Sequence, residues 1–160
     1  MCRFTLLTFA VFSIAFACAK ADPPPAKEAI EVQVLAILVS ENHKNVHPKL
    51  VDFATLVQVR QPKLTGFKLE QTTVLQSLQL GQSEKVRLVG KEVVEVTVNK
   101  ERNEKGRIML TITPPGLNQI TYECACSKFF SMATQHYVGK GKDREQLFIA
   151  IMASPCKGKK

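Results

Sequence analysis

Three cysteines carry the sharpest chemical possibilities in this chain: Cys124, Cys126 and Cys156. A Cys-x-Cys pair with a third thiol supplies the soft sulfur ligands that copper(I) or zinc prefers. His136, on the next predicted strand, would add an imidazole to that set. In an oxidising compartment the same thiols pair with one another instead. Residues two apart on a strand share a face and lie roughly 7 Å apart along it, too far to bridge each other. Cys156 is therefore expected to form a disulfide with Cys126 or Cys124, leaving one buried thiol. This reading is preferred to a metal site built from Cys124, Cys126, Cys156 and His136, because the paired Cys-x-x-Cys spacings diagnostic of zinc are missing. His43 and His47 have an i, i+4 spacing, but they fall in a polar loop before Pro48. No cofactor is expected.

Catalytic arrangements are equally sparse. A hydrolase needs a nucleophile activated by a neighbouring base, and the nearest approach to a nucleophile elbow, Gly81-Gln82-Ser83, lacks its second glycine. Glu92 and Glu95 are predicted on opposite faces of a strand, and Glu101 and Glu104 in a polar turn. Gly139-Lys140-Gly141-Lys142 sits between predicted strands, where a chain reversal accounts for its glycines better than a phosphate cradle. The chain reads as non-catalytic, with a thiol- or metal-handling role as the alternative.

The compartment follows from residues 1–21. Arg3 precedes an almost unbroken apolar run from Leu6 to Ala17, and Ala19-Lys20-Ala21 forms a small-x-small cleavage signal before Asp22-Pro23-Pro24-Pro25. These are the parts of a secretory signal peptide cut after Ala21. Cys18, after Ala15-Phe16-Ala17, gives a minor lipoprotein alternative that lacks the usual Leu three positions earlier. No later segment approaches the roughly 20 apolar residues of a membrane span, so the mature chain is expected to be exported, periplasmic or secreted, without a transmembrane segment.

Composition and charge bound the rest. Removing Arg3 and Lys20 with the signal lowers the formal excess from +8 to +6. The basic residues are scattered, with the densest group at Lys140, Lys142 and Arg144 and a tail of Lys157, Lys159 and Lys160. None is interleaved with the aromatics of a single-strand binding surface, and no nucleic-acid partner is expected. Trp is absent and Val, Leu and Ile dominate the apolar content, which favours strands.

The elements that must position these residues follow from periodicity. Ile30 to Ser40 starts with period-two alternation and finishes apolar on both faces, as a strand does when it becomes central in a sheet. Pro48 starts a helix whose stripe is Leu50, Phe53, Ala54 and Val57, and Gln61-Pro62 ends it. Short strands are predicted at Gly66 to Glu70, Val74 to Leu80 (apolar at Val74, Leu78 and Leu80) and Lys85 to Val89. Glu92 to Asn99, with Val94, Val96 and Val98 inward, pairs with Arg107 to Thr113, with Ile108, Leu110 and Ile112 inward. Pro114-Pro115-Gly116 breaks the ladder before strands at Gln119 to Ser127 and Lys128 to Val138. Glu145 to Ser154 closes the domain as a central strand.

The predicted fold is mainly β (α+β), an antiparallel meander or sandwich with one N-terminal helix. Its parts are a signal peptide (1–21), a Pro-rich leader (22–29), a single β-rich domain (30–156) and a basic tail (157–160). The strand-turn-strand VEVTVNKERNEKGRIMLTI (Val94 to Ile112) resembles the β core of bacterial secretin-type outer-membrane channel domains, and EQLFIAIMASP (Glu145 to Pro155) is similar to a terminal strand of that family. The family's Gly-rich membrane-lip segment is absent, so the resemblance implies fold and compartment but not pore formation. More broadly, the leader, strand, Pro-capped helix and meander resemble small exported bacterial β-rich proteins of unassigned activity. The expected role is a binding or accessory module of the bacterial cell envelope with a protein partner there.

Overall fold

A computed structural model describes residues 29–100, 103–125 and 127–155. In chain order they form β1 (Ile30–Ser40), a 3-10 turn (Pro48–Leu50) running into α1 (Val51–Arg60), β2 (Gly66–Leu78) and β3 (Ser83–Arg87). Then come β4 (Val93–Lys100), β5 (Arg107–Thr113), β6 (Ile120–Ala125), β7 (Phe130–Val138) and β8 (Glu145–Pro155). The strands make two four-stranded antiparallel sheets, ordered β2-β1-β8-β7 and β3-β4-β5-β6. The expected mainly β fold with one substantial helix is the one observed. The expected signal peptide and basic tail lie outside the described residues, as do Cys126, Cys156 and all of the leader but Ala29.

The alternation in β1 explains why the sheets stack and where the helix sits. Ile30, Val32, Val34, Ala36 and Leu38 point into the core between the sheets, against Val94, Val96, Val98, Ile108, Leu110 and Ile112. Leu35, Ile37 and Val39 face the other way, into a second apolar cluster with Leu50, Ala54, Val57, Phe67 and Phe148. Glu31 and Gln33 share that outer face but lie beyond the cluster, so β1 is apolar on both faces only where α1 covers it. β8 follows the same logic: Leu147, Ile149, Ile151 and Ala153 face the sandwich core, while Phe148 and Ala150 face the helix. Phe53 of α1 packs edge-on to Phe67 and Phe148, with ring centroids 5.9 and 6.3 Å away.

The outer face of the second sheet is polar. The Ser83 and Thr97 hydroxyls lie 2.6 Å apart, Asn99 donates to Thr111, Thr111 meets Thr121, and Arg107 pairs with Glu123 at 3.1 Å. Two-sided burial in one sheet and one-sided burial in the other give the molecule three layers: helix, sheet, sheet.

β2 departs from expectation. The sequence predicts two strands, Gly66 to Glu70 and Val74 to Leu80, but one 13-residue strand runs from Gly66 to Leu78. Its register against β1 shifts between Ala36 and Ile37, where Ile37 faces Leu69 and Ala36 faces Gln71, so Glu70 is an inserted residue. A second shift lies between Ile30 and Val32, near Ser77, whose φ is 60°. Each bulge restarts the period-two pattern without ending the strand. Of the apolar positions noted in the second segment, Val74 and Leu80 are exposed, whereas Leu78 is buried.

Candidate functional site

The chemically suggestive residues are dispersed. Cys124 is buried on β6, registered opposite Ile108 and part of the core between the sheets. His136 is on β7, which belongs to the other sheet from Cys124. Its Nδ1 lies 3.0 Å from Glu92 Oε1, and Gly90 approaches its Nε2 so closely that a Cβ there would stand 2.7 Å away. The register of β7 explains this placement. Between Ala133 and Tyr137 it carries more residues than the facing stretch of β8. Buried Thr134 fills the irregularity, donating its hydroxyl to Leu147 O at 2.8 Å and accepting from His136 N–H at 3.1 Å. His136 thus ties the edge of one sheet to the β3–β4 connection of the other.

Among the described residues no three His, Cys, Asp or Glu side chains converge as a metal-holding group. Ser83 is engaged with Thr97. Gly139 and Gly141 both have positive φ, +83° and +61°, in the connection from β7 to β8, the reversal expected of them. Arg144 at its end lies 3.7 Å over the Tyr137 ring.

His43 and His47 do meet, in a cleft of about 510 Å³ shared with Asn45, Gly66, Phe67, Lys68 and Glu145. Three of its polar groups make structural bonds. His47 Nδ1 accepts from Lys49 N–H at 3.2 Å and caps the 3-10 turn. His43 O accepts from the Thr65 hydroxyl at 2.7 Å, and a Cβ on Gly66 would stand 2.7 Å from that oxygen. Lys68 pairs with Glu70 at 2.8 Å, and that hydrogen bond, with the attraction of the Glu70 charge, holds its ammonium above the ordinary lysine value. The cleft is a well-braced loop attachment.

A second depression differs in kind. A groove of about 410 Å³ runs between the C-terminal half of α1 and the start of β7, lined by Leu56, Arg60, Tyr122, Phe148 and the run Phe129–Ala133. Tyr122 stacks on Phe130 with centroids 3.8 Å apart. Leu56 is 72% exposed and Val59, one helical turn on, 80% exposed, while Phe129 is also exposed. Single exposed apolar residues are ordinary, but here an apolar helix ridge borders an aromatic-lined groove, which is how binding surfaces look.

Sequence reasoning missed these residues. Leu56 and Val59 lie three apart and off the buried stripe, and that second apolar ridge on a short helix was the available signal. Comparison of the chain with protein-family models, curated proteins and solved structures finds no match.

Proposed function

We propose that the chain is an exported binding or accessory module of the bacterial cell envelope, non-catalytic, working through surface contacts with another envelope protein. The observation that supports this reading is the groove beside the Leu56/Val59 ridge. Burying exposed apolar area yields about 25 cal/mol per Å², and α1 already fills its own sheet with a different face, so among the described residues nothing covers the ridge that a partner could use. Among the described residues no helix is long and apolar enough to cross a membrane. The signal-peptide pattern of residues 1–21 and the likeness of Val94 to Ile112 and Glu145 to Pro155 to secretin-type β cores fit the same compartment.

The test uses the full chain expressed in a bacterial host, with Leu56, Val59 and Phe129 all replaced by Ser. The reading expects the exported parent to co-elute with envelope protein and the folded triple variant to elute alone. Equal elution of both as a lone species would overturn it.

A further inference from the structure

We infer that the first half of β7 is an acceptor for an extended peptide strand of the partner protein, one that alternates apolar residues and places an acidic side chain at Arg60. This deepens the binding-module reading and rests on it. Successive side chains of a strand point to opposite faces, so a groove on one face meets only every second residue. This one is lined by five consecutive residues, Phe129 to Ala133. It therefore opens on the backbone edge of the strand, with α1 as one wall and Tyr122 as the other.

Among the described residues that edge is unpaired, because β7 is the last strand of its sheet and β8 occupies its other side. Edge strands are usually protected by Lys, Pro or a bulge. Here the register irregularity comes only after Ala133, and Phe129–Ala133 contains neither Lys nor Pro. The outward N–H groups can donate to an incoming strand's carbonyls, and the outward carbonyls can accept from its N–H groups, as in other cases of strand addition. Side chains of the added strand would then alternate between the helix wall and the Tyr122 wall.

Charge selects the occupant. Arg60 lines the groove and makes no ion pair or hydrogen bond among the described residues, and no acidic residue lines it. Two copies pairing edge to edge would bring two such Arg60-bearing grooves together on a chain whose formal excess is +6 once the signal peptide is removed. An acidic partner strand removes that repulsion.

The probe is a displayed library of random short peptides selected on the full exported protein, then counter-selected on Arg60→Glu and on Phe129→Ser. Both variants change exposed side chains, and circular dichroism verifies their folding. Enriched sequences should alternate apolar residues and carry Asp or Glu. The strongest, made synthetically, should lose about tenfold or more in affinity for Arg60→Glu and regain it when its acidic residue becomes Lys. N-methylation of alternate peptide nitrogens should abolish binding in one register and spare it in the other. Binders that compete at the groove without alternation, or that tolerate N-methylation in both registers, would overturn strand addition and leave the binding module standing. No groove-dependent binder at all would overturn both. A dimer in sedimentation that dissociates on Phe129→Ser would replace the acidic partner with a second copy.

Discussion

Gly90 shows how a single residue couples the two sheets. Its φ of +72° suits glycine, and its missing Cβ leaves room for His136. Gly90→Ala should destabilise the fold by about 1–3 kcal/mol, combining left-handed strain with the clash. His136→Ala in the same chain should recover the clash component but not the strain, so a double-mutant cycle in urea should show coupling of about 0.5 kcal/mol or more. Additive effects would mean that the imidazole simply moves aside. In the core between the sheets, Val96→Asp should cost about 3 kcal/mol or more, because Val96 is buried among aliphatic side chains with no partner for a carboxylate. That position was legible from alternation alone, as were Val94, Val98, Ile108, Leu110 and Ile112. Tyr122 was not: it shares the face of buried Cys124 yet is exposed at the groove. Period-two spacing assigns a face, but only neighbouring elements decide whether that face is covered.

Elements differ in legibility for the same reason. β1 and β5 occupy the residues that periodicity predicts, because unbroken alternation and a polar or Pro-rich boundary mark each end. β2 was split in prediction since its bulges reset the alternation, and a reset reads like a turn when the partner strand is unknown. For α1 the stripe of Leu50, Phe53, Ala54 and Val57 was read correctly, and the opposite ridge was overlooked. The two faces make separable predictions. Ala54→Leu, set against the sheet, should lower stability by about 1–3 kcal/mol through overpacking. Leu56→Ser and Val59→Ser should change it by only about 0.5 kcal/mol or less, since both side chains are mostly exposed. Chemical denaturation of the three variants checks this. A large loss at Val59 would make the ridge part of the fold and unavailable to a partner.

At the scale of the whole molecule, the described chain enters and leaves at one end of the sandwich, where Ile30 is registered opposite Pro155. The turn after β6 is fastened to the same region, Ser127 N–H donating to Ala153 O at 3.1 Å. The ends of β6 and β8 are thereby held together, the neighbourhood in which a bridge between Cys156 and either Cys126 or Cys124 is expected. Such a bond closes a loop of about 30 residues and should add on the order of 3 kcal/mol by restricting the unfolded chain. Thiol counting on denatured, non-reduced exported protein should therefore find one free thiol, and reduction should lower the denaturation midpoint without abolishing peptide binding at the groove. The intact mass of the same sample should begin at Asp22, with an added lipid mass on Cys18 replacing that start with an anchored one. The expected disulfide and the groove make independent demands on the protein: the first concerns how the end of the domain would be tied down, the second what its open edge would accept. Three free thiols accompanied by bound copper or zinc would reverse the first expectation, and loss of that metal on replacing any one of Cys124, Cys126 or Cys156 would establish the metal-handling role in its place.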